Sequence, residues 1–421
     1  MILAIVIFLL VYAFIVTEKI HRTIIALFGA GILLVFKIVS YEYAIHHAID
    51  FNTLGLLIGM MIIVFITKRT GIFEYIAVKQ VKLSKGNLIV MMILLSVVTA
   101  VASAFLDNVT TVLLIIPIVL SITEDLNISP LPFAISIIFA SNVGGTATLI
   151  GDPPNIMIGS KAGLSFMDFV NNLTPAIFII LIITVLIFAL IFKKQLKVDE
   201  ELKEFFLKID ESEYIKDKKL LVKSLFVLGL TIVGFILHDK LKLESSTIAL
   251  FGASFLLLIS GVDVKEVLEE VEWTTIFFFI GLFIIVGGLE ITGVIDILAK
   301  AMLNITHNNP LLTTIVILWG SAIFSAFVDN IPFTATMIPL ILEMQKLGHL
   351  DVQPLWWALS LGACLGGNGT IIGASANVVT SGLLEEKGYR LSFGEFFKYA
   401  FPTMILTIIL STVYLVIRCY M

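Results

Sequence analysis

The feature that most constrains this chain is an internal repeat with a constant separation of 222 positions (329 − 107). Ser103–Asn108 reads Ser-Ala-Phe-Leu-Asp-Asn, and Ser325–Asn330 reads Ser-Ala-Phe-Val-Asp-Asn. The same separation continues through the glycine-rich segments that follow each copy. Repeated halves in an apolar chain are typical of membrane transport proteins whose binding site lies where the halves meet.

Composition places the chain in a membrane. Apolar residues make up 59% of the 421 residues and charged residues 14%, whereas soluble domains are about half apolar and about a quarter charged. Several apolar runs approach the roughly 20 residues that a bilayer span needs. The net charge of −5 gives no indication of a nucleic-acid partner, and two cysteines predict no disulfide framework.

The apolar segments divide the chain into a first inverted repeat (1–192), a linker (193–220) and a second inverted repeat (221–421). Segments 88–122 and 310–343 are too long for one span and carry Asp-Asn near their middle, which predicts a re-entrant hairpin in each half. Segments 131–160 and 354–381 contain glycines, and the first also contains the pair Pro153-Pro154 beside its glycines, which predicts discontinuous helices. The expected fold is therefore an all-α polytopic membrane protein with five transmembrane helices plus one hairpin per half.

Basic residues predict the orientation. Five crossings per half invert the second half, and the predicted inner loops, which include 68–87, hold 20 of the 27 Lys and Arg residues. The positive-inside rule then places both termini outside the cell membrane and the 193–220 linker in the cytoplasm. The first hairpin would enter from the cytoplasm and the second from outside.

Four hairpin-tip residues are candidates for ion or proton coupling. A carboxylate inside a membrane costs several kcal/mol unless it is paired or hydrated, so an intramembrane acid indicates function. The alternative is that each acid only caps a broken helix; both roles can hold together. The candidates are Asp107, Asn108, Asp329 and Asn330.

The glycine-rich breaks are candidate sites for substrate and ions, because unwound carbonyls coordinate cations and half-helix N-termini attract anions. Packing kinks are the alternative, but kinks alone do not explain the hydroxyl and amide side chains at both breaks. The candidates in the first half are Ser141, Asn142, Gly144, Gly145, Thr146, Thr148, Gly151, Asp152 and Asn155. The candidates in the second half are Gly366, Gly367, Asn368, Thr370, Gly373, Ser375 and Asn377.

The two breaks differ in charge. Asp152 has no acidic counterpart, since Ala374 lies opposite it, so the first break carries an extra acid. Lys161 is expected to be the only basic residue near either break, and no arginine is expected there. No metal site and no cofactor is expected; Na⁺ or H⁺ would serve as the coupling ion.

The segment Ala140–Asn155, which ends Gly-Asp-Pro-Pro-Asn, resembles the signature of the ion transporter superfamily, most closely its arsenite permease (ArsB) and melanosomal P protein group. The resemblance covers nearly the whole chain and is weak on substrate. It implies a homodimer in which each protomer has a scaffold domain and an elevator-like transport domain. Sodium–dicarboxylate relatives carry Ser-Asn-Thr at the hairpin tips, and the Asp-Asn found here favours proton or Na⁺ handling.

The sequence thus predicts a secondary active transporter and no enzyme. An ArsB-like permease for an inorganic or small organic anion, coupled to H⁺ or Na⁺, is the leading hypothesis, and a Na⁺/H⁺ antiporter is the alternative. A channel would need no moving domain. An intramembrane aspartyl protease is disfavoured because neither Asp107 nor Asp329 follows Gly-x-Gly. No ATP-binding Gly-x-x-x-x-Gly-Lys-Ser/Thr occurs, so primary pumping would need a separate ATPase subunit.

Overall fold

The computed structural model describes residues 1–17, 19–196 and 211–421, and these residues form helices, turns and loops without a β-strand. The all-α prediction is confirmed. The helices of the first half are α1 (Ile2–Thr17), α2 (Arg22–Val35), α3 (Phe51–Lys68), α4 (Ile72–Leu83), α5 (Leu88–Ser103), α6 (Asn108–Asp125), α7 (Leu131–Gly145), α8 (Pro153–Ala162), α9 (Phe166–Asn172) and α10 (Thr174–Phe192).

The second half repeats this order with two differences. Its helices are α11 (Lys218–Leu241), α12 (Ser245–Ser260), α13 (Val264–Glu269), α14 (Trp273–Ile291), α15 (Val294–Ile305), α16 (Pro310–Phe327), α17 (Asn330–Gly348), α18 (Gln353–Gly366), α19 (Ser375–Glu386) and α20 (Phe393–Tyr420). Helix α13 corresponds to two short helical segments of the first half, Tyr41–Tyr43 and Ala44–Ala48, and α9 has no separate counterpart. Five helices of the first half begin one repeat length, 222 residues, before their counterparts in the second half. The pairs are α3 and α14, α4 and α15, α5 and α16, α6 and α17, and α8 and α19. The repeat in the sequence is therefore a repeat of secondary structure.

Seven described helices are long and apolar enough to cross a membrane: α3, α6, α10, α11, α14, α16 and α20. Five shorter apolar helices accompany them, among them α5 and α7, which adjoin the breaks. The prediction that 68–87 is a loop is wrong, since this segment contains α4. Its apolar residues Ala77, Val78 and Val81 are buried, so packing on neighbouring helices supports a helix too polar to be recognised by hydropathy.

The helices pack as two bundles. The flanking bundle contains α1, α2, α3, α11, α12 and α14, and the broken-helix bundle contains α5 to α8, α10 and α16 to α20. Each bundle mixes the halves: α2 packs on α14 as α12 packs on α3, and α6 packs on α19 as α17 packs on α8. Neither half therefore forms its core alone.

Glycine lets helices approach closely at two equivalent points. A Cβ atom on Gly144 of α7 would lie 2.1 Å from the carbonyl oxygen of Ala100 on α5. A Cβ atom on Gly366 of α18 would lie 2.5 Å from the carbonyl oxygen of Ala322 on α16. Both distances are far below van der Waals contact, so a side chain at either position would force the helices apart.

The 193–220 linker is only partly described. A short helical turn spans Glu211–Tyr214, and the Glu211 carboxylate lies 2.6 Å from the Lys82 ammonium group. The amide of Lys216 donates to the carbonyl of Thr70. Residues 197–210 of the linker lie outside the described residues.

Candidate functional site

Both tip aspartates cap the helix that follows them. The Asp107 carboxylate accepts hydrogen bonds from the amide of Thr110 at 2.8 Å and from its hydroxyl at 2.5 Å. The Asp329 carboxylate accepts one from the amide of Ile331 at 3.0 Å. These bonds satisfy amides that a helix start leaves without intrahelical partners. The capping geometry expected from the sequence is present at both tips.

Matching hydroxyl bonds hold each tip against its break. The hydroxyl of Ser103 donates to the Ser141 carbonyl at 2.7 Å, and its counterpart Ser325 donates to the Ala363 carbonyl at 2.5 Å. In the same way, the hydroxyl of Thr148 donates to the Ala104 carbonyl, and that of Thr370 to the Ala326 carbonyl. The sequence repeat therefore preserves the contacts between the tip and the break.

An asparagine closes each unwound segment on itself. Asn155 donates through Nδ2 to the Thr148 carbonyl at 2.9 Å and to the Thr146 carbonyl at 3.2 Å. Asn377 donates to the Thr370 carbonyl at 2.8 Å and to the Gly367 carbonyl at 2.7 Å. These bonds satisfy carbonyls that the broken helices leave free, which buried backbone requires.

A buried amide network centred on Asn142 joins the halves. Its Nδ2 donates to Oδ1 of Asn368 and to Oδ1 of Asn377, both at 2.9 Å. Its Oδ1 accepts from Nδ2 of Asn108 at 3.0 Å. All four side chains are buried, and Nδ2 of Asn368 has no hydrogen-bond partner among the described residues. The first tip and both breaks thus meet at one residue.

The extra acid of the first break lies against the second tip. Asp152 is 1% exposed, and each of its carboxylate oxygens lies 3.3 Å from Nδ2 of Asn330. A buried carboxylate needs hydrogen bonds or a counter-charge to offset its lost hydration. Asn330 supplies hydrogen bonds and no charge, so Asp152 is a position where a cation would be stabilised.

An arginine lies at the second tip, which corrects the expectation that Lys161 is the only basic residue near the breaks. Nη1 of Arg22, at the start of α2, lies 2.8 Å from Oδ2 of Asp329 and 2.8 Å from the hydroxyl of Ser375. The Ser375 hydroxyl also donates to Oδ2 of Asp329 at 3.0 Å. Lys161 instead lies at the surface, beside a cavity that Glu290 also lines.

The tips, the first break and Arg22 line one cavity of about 230 Å³. Its ionisable wall combines Arg22 with three acids, Asp107, Asp152 and Glu272. Its other polar lining residues are Asn108, Thr274, Thr275, Asn330 and Ser375. No group of three or more His, Cys, Asp and Glu side chains within the described ranges is arranged to hold a metal ion. The cavity can supply a cation, amide donors and carboxylates to a small solute.

Some candidate hydroxyls point away from this cavity. The Ser141 hydroxyl donates to the Ile138 carbonyl in its own helix, and the Thr146 hydroxyl donates to the Asn142 carbonyl. The candidate glycines act through close backbone approach: a Cβ atom on Gly151 would lie 2.5 Å from the Gly145 carbonyl oxygen. The equivalent pair in the second half is Gly367 and Gly373.

Several residues at the site were missed by the sequence reasoning. Arg22 and Glu272 lie at helix starts and read as interfacial charges. Ser360 donates to Oδ1 of Asn155 at 2.6 Å, and the Cys364 thiol lies 3.7 Å from the same oxygen. No periodicity distinguishes these two from other buried positions on α18. Ser103 and Ser325 could have been found, since both belong to the repeated hexapeptide.

Comparisons with known proteins agree with this architecture. An uncharacterized transporter of Mycobacterium tuberculosis is 42% identical over 424 residues, covering 100% of this chain and 99% of that protein. The P protein of Homo sapiens is 35% identical over 491 residues, covering 97% of this chain and 58% of the P protein.

A solved structure and a family model extend the comparison. The YdaH transporter of Alcanivorax borkumensis has a TM-score of 0.58 at 14% identity, covering 87% of this chain and 85% of that chain, which supports the fold. The citrate transporter (CitMHS) model matches residues 12–362. The predicted membership of the ion transporter superfamily is confirmed, and the chain belongs to the citrate transporter family of membrane transporters.

Proposed function

We propose that this transporter is a secondary active permease that moves a small inorganic or organic anion together with H⁺ or Na⁺. The observation that carries the proposal is the 230 Å³ cavity, which places a guanidinium group and buried amides beside three carboxylates. An anion and a coupling cation would therefore find complementary groups in one site. The family model named for citrate transport favours an anion.

Anion binding would use donors at the cavity wall. Arg22 uses only Nη1 for its hydrogen bonds to described residues. Its guanidinium group lies over the ring of Phe278, with Cζ 5.0 Å from the ring centroid. The remaining N–H groups suit carboxylate, arsenite or phosphate-like oxygens. Arsenite is largely neutral As(OH)₃ near neutral pH, so it would be held by hydrogen bonds.

Cation binding would use the acids. Asp107, Asp152 and Glu272 together outnumber the one arginine in the cavity wall. An anion would be repelled by them unless protons or Na⁺ neutralise at least one carboxylate. This requirement would make transport of the two ions obligatorily coupled.

Movement of the site would occur between the two bundles. Arg22 belongs to the flanking bundle, whereas Asp107, Asp152 and Asp329 belong to the broken-helix bundle. The proposal is an elevator motion of the broken-helix bundle, with its re-entrant hairpins, against a flanking scaffold. The protein would be a homodimer in the cell membrane, with both termini outside and the 193–220 linker cytoplasmic.

A Na⁺/H⁺ antiporter is the second candidate, and the surplus of cavity acids favours it. The test is to record the internal pH of proteoliposomes while a Na⁺ gradient is imposed, with and without citrate or arsenite. Proton movement that requires the anion would support the permease. Na⁺-driven proton movement without any anion would reject the permease and establish cation exchange. Empty liposomes and the double variant D107N/D329N are the controls.

A further inference from the structure

The ion pair between Arg22 and Asp329 connects the two bundles. The side chains are 28% and 13% exposed, and their contact joins the start of α2 to the tip before α17. Ser375, the first residue of α19, bonds to both partners. The Asp329 carboxylate therefore already has a positive charge and two hydrogen-bond donors from outside its own helix.

The equivalent carboxylate in the first half has none of these partners. One repeat length relates Arg22 to Glu244 and Ser375 to Pro153, so the repeat provides neither a base nor a hydroxyl as a counterpart. Glu244 lines a different cavity, together with Asn52 and Ser160. Asp107 bonds to the amide and hydroxyl of Thr110 and forms no ion pair with a described residue. Two symmetric acids therefore have unequal electrostatic surroundings.

We propose that Arg22 is a tethered cation that fills the Asp329 site, so that in this conformation only the first-half tip is open to a coupling ion. A mobile cation reaching Asp329 must displace a guanidinium held by two hydrogen bonds, whereas a cation reaching Asp107 displaces no basic side chain of the described residues. The inference rests on the proposed function for the role of Asp107. Arg22 would thereby set the number of coupling ions that are transported with each solute molecule.

Other ionisable groups also surround Asp329 and must be accounted for in a titration. Tyr12 approaches from α1, and its hydroxyl bonds to Thr336 at 2.7 Å. The other groups around the pair are His21 before α2, Asp152 before α8, Asp107 before α6 and Glu272 before α14. Because Arg22 lies in the same cavity wall as Asp107, Asp152 and Glu272, its replacement also changes the charge around these acids. A gained carboxylate is therefore assigned to Asp329 only by comparison with the double variant R22Q/D329N.

The test counts exchangeable carboxylates in the purified full-length protein, by infrared absorption of protonated carboxyl groups titrated with acid and with Na⁺. R22Q should gain one exchangeable carboxylate per chain, and R22Q/D329N should lose that gain. R22K should match the wild type. R69Q is the matched control, because Arg69 forms a surface ion pair with Glu266 at 2.6 Å, and it should leave the count unchanged.

An unchanged count in folded R22Q would overturn the proposal. If R22Q does not fold, the count in D329N is compared with that of the wild type. An unchanged count would support the proposal that Arg22 already occupies the Asp329 site, and the loss of one exchangeable carboxylate would overturn it. The carboxylate count does not depend on transport. A negative result in the proteoliposome assay would therefore reject the proposed permease without changing the outcome of this test.

Discussion

Replacement of Asn142 by alanine should destabilise the fold more than any single surface change. The substitution removes the Nδ2 group that donates to Asn368 and Asn377 and the Oδ1 atom that accepts from Asn108. Three buried atoms then lack hydrogen-bond partners: Oδ1 of Asn368, Oδ1 of Asn377 and Nδ2 of Asn108. Each such atom costs about 1–3 kcal/mol, which gives about 3–9 kcal/mol in total. Water admitted to the vacated space would relieve part of this cost, so we expect a loss near 3 kcal/mol.

The assay is unfolding in mixed detergent micelles, followed by tryptophan fluorescence; two of the four tryptophans, Trp356 and Trp357, are buried at the start of α18, the helix that leads into the second break. N304A is the control, because Asn304 is exposed on α15 and its replacement should change stability by less than about 0.5 kcal/mol. A loss for N142A within about 1 kcal/mol of the control would refute the reasoning that the network is dry and fully buried.

D107N and D329N should each abolish or uncouple ion-driven transport in proteoliposomes while the protein still folds; wild-type coupled rates in both would leave the acids only their capping role. G144A should destabilise the fold by about 1–3 kcal/mol or more through overpacking against α5, whereas G31A, whose Cβ meets no atom within 4 Å, should be neutral or slightly stabilising in the same micelle assay. In a C419S background, which removes the partly exposed native cysteine, a cysteine introduced into the 193–220 linker should react with an impermeant thiol reagent only in inside-out vesicles, and labelling of intact cells would reverse the proposed orientation.

The sequence predicted the helices and their breaks well, because local signals determine them. Glycines, prolines and the repeated Asp-Asn pair mark the positions where α5 ends before α6 and α7 ends before α8. The repeat then carries each assignment to the other half. The amide residues Asn142, Asn155, Asn368 and Asn377 could be selected for the same reason, since amides beside unwound backbone have carbonyls to satisfy.

The partners of those residues could not be predicted. Arg22 and Asp329 are 307 positions apart, and only the packing of α2 beside the second tip brings them together. The sequence places Arg22 at a helix start, where basic residues are common at membrane interfaces. Asp152 likewise meets Asn330 across 178 positions. Contacts between segments that are distant in the sequence depend on tertiary packing, which neither periodicity nor motif spacing records.

The exchange of neighbours between the halves has a consequence for biosynthesis. When residues 1–196 have been made, α2 has not yet packed on α14, and α3 has not yet packed on α12. The packing faces of these helices therefore remain without protein partners until the second half is inserted. Domains commonly fold in order from the N-terminus during synthesis, but here neither bundle can close early. Two fragments divided between the halves should therefore be unstable apart and should assemble when they are produced in the same cell.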